Sequence, residues 1–264
     1  MNKAEIVRSI RGERRRTLGL LGTVEPGRFD TPTALPRWRV REVAAHLVTT
    51  DRGSVTGTIL PALLGGVARI EAWNERQVPK WASRPVSELL QGLDRWGRRF
   101  ARLAGVAPSP LYRMPLRTPW GPAAGMAMWA RAYDEWVHRQ DIRRALELAD
   151  DQVDLDEVVE FLLIAAGHQT LRRLGARPGA VDLSLTGAAV PEWRIDLAGE
   201  RYGPSETGAR FGNGTVARIV APAPTFIMAA AGRDRFDDLR SKGVLKVEGD
   251  QALGGEFLSG LLVV

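Results

Sequence analysis

The chain of 264 residues contains no cysteine. That excludes a disulfide framework, a thiolate metal site and a cysteine nucleophile, so any sulfur chemistry has to use sulfur from another molecule. Lysine is scarce: of 37 basic residues only Lys3, Lys80, Lys242 and Lys246 are lysine, and the rest are arginine. The formal net charge of +6 therefore comes from arginines spread along the chain with acids between them. A basic balance of this kind speaks to non-specific attraction and does not make a specific nucleic-acid surface. Arg14-Arg15-Arg16 is the one tight basic run, and it reads as a solvated helix face. No apolar run approaches the ~18 residues needed to span a bilayer, and the stretch from Val158 to Ala166 is short and carries Glu160. Met1 to Arg16 is polar where a secretory signal would be apolar. The expectation is a cytoplasmic protein without a membrane partner. The Asn213-Gly214-Thr215 sequon then reads as a turn. No nucleophile elbow, phosphate loop or dinucleotide fingerprint is present.

What is present suffices for a substantial core. Hydrophobic residues make up 44% of the chain and charged residues 26%, as in globular domains. The first two thirds carry helical periodicity. Helices are expected over Ala4 to Leu21, from Val40 to Thr50, over Pro85 to Leu103 with Ser83 as N-cap, over Ala123 to Leu148, and over Asp154 to Leu174 with Gly175 as the stop. Their connections are polar and bear proline, which suggests an antiparallel four-helix bundle. Composition shifts at Gly175-Ala176-Arg177-Pro178-Gly179, and the period then falls towards two. Strands are expected around Val181–Leu185, Trp193–Leu197, Val216–Val220 and Val244–Val247, with an Asn-Gly hairpin at residues 211–215. Short helices should cover Pro224 to Ala231 and Gln251 to Leu262. The reading is two domains, a helical one over residues 1–175 and a small α+β one over residues 180–264.

Only three histidines occur: His46, His138 and His168. His138 follows Asp134 by four residues, so on a helix both project from nearly one face, one turn apart. His46 lies on another helix, and a bundle could bring it to the pair. Two imidazoles and a carboxylate with open positions suit a catalytic divalent-metal site. Asp141, three residues beyond His138, could hold an imidazole N–H. By spacing alone the Asp134–His138 pair reads first as an ordinary ion pair of the kind that arises often by chance. Glu135 competes with Asp134 as a ligand, and His168 has no acidic residue at helical spacing before it.

A resemblance sharpens this. The segment Trp38-Arg39-Val40-Arg41-Glu42-Val43-Ala44-Ala45-His46-Leu47 and the segment Arg131-Ala132-Tyr133-Asp134-Glu135-Trp136-Val137-His138-Arg139-Gln140-Asp141 resemble the two metal-site segments of the mycothiol-dependent maleylpyruvate isomerase family. Downstream, Ala221-Pro222-Ala223-Pro224-Thr225-Phe226, Ala231-Gly232-Arg233 and Val247-Glu248-Gly249-Asp250 are similar to that family's C-terminal domain. The resemblance implies a DinB-like helical bundle followed by a sterol-carrier-like α+β domain. It implies His46, Asp134 and His138 as ligands of a divalent metal: zinc first, with nickel or iron also suited. Arg233 would bind an anionic substrate. Family members often carry glutamate where Asp134 stands, and aspartate is one methylene shorter. Mycothiol, an actinobacterial thiol, would be the cofactor or co-substrate of an isomerase or S-transferase acting on a small electrophile, in a monomer or homodimer. The alternative is a non-catalytic metal- or small-ligand-binding stress-response protein that keeps the ligands as a relic.

Overall fold

Twenty residues from Lys3 to Gly22 form helix α1, which buries Ile6, Ile10 and Leu21 along one side. The computed structural model describes residues 3–153, 155–190, 192–205 and 215–263, with the side chain of Arg117 left aside. After a 3-10 turn at Pro26–Asp30 comes α2, Val40–Thr56. In its first turn the Arg39 backbone N–H donates to Glu42 Oε2 at 2.8 Å. Gly57 ends it in the left-handed region at φ 75°, where a side chain would be strained. Helices α3 (Leu60–Leu64), α4 (Val67–Ala82), α5 (Val86–Val106) and α6 (Ser109–Arg113) follow. Two short strands, β1 (Pro115–Thr118) and β2 (Gly121–Ala123), lead into α7, Ala124–Ala145.

In this helical part α1 packs on α5 and α7, and α2 packs on the same two, closing a four-helix ring. Helix α4 lies against the outside of α2. Val40, Val43, Ala44, Leu47 and Val48 of α2 meet Leu89 and Leu93 of α5, Leu21 of α1 and Ile142 of α7 in one apolar cluster. At about 25 cal/mol per Å² of apolar surface removed from water, this burial is the main force holding the ring.

The second part starts with α8, Leu155–Leu174, which stops at Gly175 with φ 66°. Then come β3 (Ala180–Thr186), β4 (Trp193–Asp196), β5 (Arg201–Pro204), β6 (Val216–Pro222), α9 (Ala223–Ala230), α10 (Phe236–Ser241), β7 (Lys246–Gly249) and α11 (Gln251–Ser259). The sheet order is β5-β4-β3-β6-β7. β3 and β6 are parallel, with Val181 opposite Ala217 and Leu183 opposite Ile219, and the other neighbours run antiparallel. Val181, Leu183, Ile195, Ala217 and Ile219 are buried at alternate positions, as a sheet covered on one face requires. The fold class is the expected one, a helical region followed by a small mixed-sheet domain.

Several elements differ from the sequence reading. The chain divides into two compact units, residues 1–118 with 122–151 and residues 119–121 with 152–264. Helix α8, expected with the first domain, thus belongs to the second. It lies against β4, β5 and α9, and Gly167 lets the Tyr202 ring approach so closely that a β-carbon there would sit 2.4 Å from Tyr202 Cγ. Ser83 does not cap α5; it terminates α4, and Pro85 occupies the N-cap of α5 without a side-chain hydrogen bond. The last strand lies at 246–249, two residues later than expected, and α11 ends three residues earlier. The hairpin signal at Phe211 to Gly214 lies outside the described residues, as does Asp154. Among the described residues no helix is long and apolar enough to cross a membrane.

Candidate metal centre

His46 sits in the second turn of α2, while Asp134 and His138 stand one turn apart on α7. The two helices pack together inside the first unit, so the face of α7 that carries Asp134 and His138 meets His46. His46 Nε2 is 3.4 Å from Asp134 Oδ2, and His138 Nε2 is 3.4 Å from Asp134 Oδ1. One ligand atom from each of the three lies within 4.8 Å of the others, a grouping that could hold a metal ion. Both histidines are buried, whereas the Asp134 side chain keeps 28% of its exposure and so opens the group to water. The imidazole centroids are 4.7 Å apart, and the half-buried Trp38 ring covers both at 5.1 and 5.8 Å.

Asp134 and His138 are held from behind. Asp141, fully buried, lies 2.9 Å from His138 Nδ1 and turns the opposite nitrogen towards Asp134. Arg131 donates from Nη1 to Asp134 Oδ2 at 2.5 Å and from Nε and Nη2 to Asp51 Oδ1 at 3.2 and 2.9 Å. Arg14 of α1 joins Asp51 and reaches Glu135 Oε2 at 2.9 Å. Arg139 pairs with Glu13 and, at 3.3 Å, with Asp151. His46 Nδ1 is buried and has no hydrogen-bond partner among the described residues.

The charges bias protonation. Burial lowers the His46 pKa despite the nearby Asp134 carboxylate. Burial also works against charge on His138, but Asp134 and Asp141 outweigh it and raise its pKa. Enclosure pushes Asp134 upward, and the two imidazoles overcome this to hold its carboxyl well below the usual range. Burial raises the Glu135 carboxyl against the pull of Arg14 and Arg131.

The structure thus brings His46, Asp134 and His138 together and puts Asp141 behind His138. Glu135, the competing ligand, turns away to Arg14, with Arg131 at 3.7 Å. His168 lies in the other unit, half-buried on α8, where burial and Arg172 lower its pKa. Arg233 is also in that unit, just after α9, and donates to the Ala231 carbonyl at 2.5 Å. The solvated reading of the Arg14 run is corrected: Arg15 is exposed, but Arg14 is buried because two carboxylates inside the bundle receive it. Sequence reasoning also missed Asp51 and gave no role to Arg131. The signals for Arg131 were its place at the head of the segment that carries the resemblance and its position one turn before Asp134.

Two solved structures share this fold. The crystal structure of the mycothiol-dependent maleylpyruvate isomerase matches with a TM-score of 0.60 at 14% identity, covering 94% of this chain and 93% of that one. A histidine-to-alanine mutant of the mycothiol-dependent maleylpyruvate isomerase matches with the same score and coverage at 13% identity. Among curated proteins none matches the chain. The family described as Mycothiol maleylpyruvate isomerase N-terminal domain matches residues 10–143, a span that contains His46, Asp134 and His138 together with every residue that supports them except Asp151. The chain belongs to that family, a family of enzymes.

Proposed function

We propose that the protein is a mycothiol-dependent isomerase or S-transferase for a small electrophile, and that His46, Asp134 and His138 hold one divalent ion, zinc first, with nickel or iron also suited. The observation that carries this is the spacing of the three donors. At 3.4 Å the His–Asp separations exceed the usual 2.7–3.2 Å of N–H···O hydrogen bonds. They run to different oxygens of Asp134, and one donor atom from each of the three residues lies within 4.8 Å of the others, a group compact enough for one ion with ligands at ~2.0–2.1 Å to gather. Neutral imidazole nitrogen and carboxylate oxygen are the donor types such ions take. When bound, a divalent ion would favour the thiolate form of an added thiol.

The chain's own residues then do the following. Asp141 keeps a proton on His138 Nδ1, which leaves the lone pair of Nε2 facing Asp134. Asp134, held ionised, offers the carboxylate charge. Trp38 shields the imidazoles from bulk water on one side. Arg233 is proposed to bind an anionic group of the substrate. The absence of cysteine from the chain agrees with a thiol supplied from outside.

The test is elemental analysis of purified protein before and after loading with zinc, followed by assay with mycothiol and small unsaturated electrophiles such as maleylpyruvate. About one ion per chain and thiol-dependent conversion are expected, both lost in His138→Ala. A protein that takes up no ion after loading would refute the ligand assignment. A loaded protein that converts nothing when thiol is added would refute the enzymatic one.

A further inference from the structure

Asp51 stands on α2, five residues after His46, and has no exposed surface. Both of its oxygens are committed: Oδ1 accepts the Nε–Nη2 edge of Arg131 from α7, and Oδ2 accepts Arg14 from α1. With that edge fixed, the remaining nitrogen of Arg131, Nη1, has one place to go, and it lies on Asp134 Oδ2. The partner of His138, Asp134 Oδ1, is left free of the guanidinium. Resting on the ion-site reading above, we infer that Asp51 is a positioning residue: through Arg131 it fixes which oxygen of Asp134 is offered to the space shared with the two imidazoles.

Two physical effects run through this relay. The first is orientation. A carboxylate on a short side chain can rotate about its last bond, and a guanidinium clamped from behind by Asp51 restrains that rotation by holding one of the two oxygens, Oδ2, from Nη1. The second is charge. Arg131 is itself buried beside the site, and an uncompensated guanidinium there would repel any cation. Asp51 supplies the compensating charge from the far side, so Arg131 can steer Asp134 without opposing the ion. Asp51 touches neither imidazole nor the space between the ligands, and it acts only through Arg131.

A purely structural role, in which Asp51 ties three helices together, makes a different prediction. Glu13 with Arg139 is another buried pair between α1 and α7, and it does not touch Asp134. Cobalt affinity is therefore measured by competition with a chelator for the unsubstituted full chain, Asp51→Asn and Glu13→Gln. Removing groups that orient metal ligands weakens binding by about 10–100-fold. The expected result is a loss of that size in Asp51→Asn, with Glu13→Gln within about threefold of the unsubstituted protein. Equal losses in the two variants, or none in Asp51→Asn, would overturn the inference. Should Asp51→Asn not fold, Arg131→Lys, which keeps the charge and loses the fork, takes its place in the comparison, and the same outcomes sustain or overturn the inference. Failure of the unsubstituted chain to bind cobalt would be a failure of the ion reading. In that event a double-mutant cycle of Asp51→Asn with Asp134→Ala in metal-free protein decides the relay: non-additive denaturation midpoints sustain it, and additive ones overturn it.

Discussion

Asp134 answers to three neighbours at once, and its surroundings set how the site responds to protons. Its carboxyl stays ionised far below neutrality, so it does not limit ion binding as the solution is acidified. His138 does: its pKa is raised by Asp134 and Asp141, and a protonated imidazole cannot ligate. Ion affinity should therefore climb as pH rises through that elevated range and fall below it. Calorimetric titrations between about pH 6 and pH 8 should show Kd decreasing with pH and protons released on binding. An affinity flat over this interval would contradict the assignment of His138. Replacing Asp141 by asparagine removes the charge behind His138 Nδ1. An affinity loss of about 10–100-fold with an unchanged circular dichroism spectrum is expected. The spacing of Asp134 and His138 was legible because both lie on one helix, where four residues return to the same face. His46 required a fold or a family resemblance to join them. The Asp51–Arg131 pair was not legible, since 80 positions separate its members and neither carries a local mark of burial.

At the scale of elements, α7 is unusual in what it buries. Arg131, Glu135, His138, Arg139, Gln140 and Asp141 all lie inside, beside Trp136 and Ile142. Such a helix has no single apolar stripe, so periodicity predicts its extent but not its orientation. Its continuity was readable from the lack of an internal proline, and it spans 124–145 against an expected 123–148. Helix α4 escapes the periodicity because Pro79 interrupts its pattern; the proline lies inside the helix and forgoes one backbone bond, but it stands only three residues before the last, Ala82. Helix α8 was found but assigned to the wrong neighbour, because packing partners depend on contacts such as Gly167 with Tyr202 that no local pattern encodes. The α1–α5 contact depends on Gly97. A β-carbon there would lie 2.5 Å from Arg14 Nε and 2.8 Å from its Cδ. Gly97→Ala gains about 1 kcal/mol of helix propensity. It also pushes Arg14 off Asp51 and Glu135, and overpacking of this kind costs about 1–3 kcal/mol before the ion pairs are counted. A net loss of stability is expected, read as a lower midpoint in urea; a raised midpoint would show that Arg14 can shift without penalty.

For the molecule as a whole, the helical region and the mixed sheet were both legible in the change of period near residue 175, but the packed units part near residue 151. The change of period marks where strands begin, and it says nothing about which side a preceding helix joins. The buried charges of the first unit also tie global stability to pH. Burial outweighs Arg139 and pushes the Glu13 carboxyl from 4.5 up to about 8. The folded protein thus holds a proton that the unfolded chain releases. This contribution is fully present below 4.5 and is lost as pH rises through about 8. Glu13→Gln should flatten that decline, seen in denaturation midpoints compared at about pH 5 and about pH 9. A decline of unchanged steepness in the variant would assign it to another group. Finally, Trp38 lies over both imidazoles, one of eight tryptophans in the chain. An open-shell ion seated between those rings would stand within a few ångströms of the indole and dim its emission, while tryptophans elsewhere kept shining. The protein carries its own lamp at the place where occupancy has to be read.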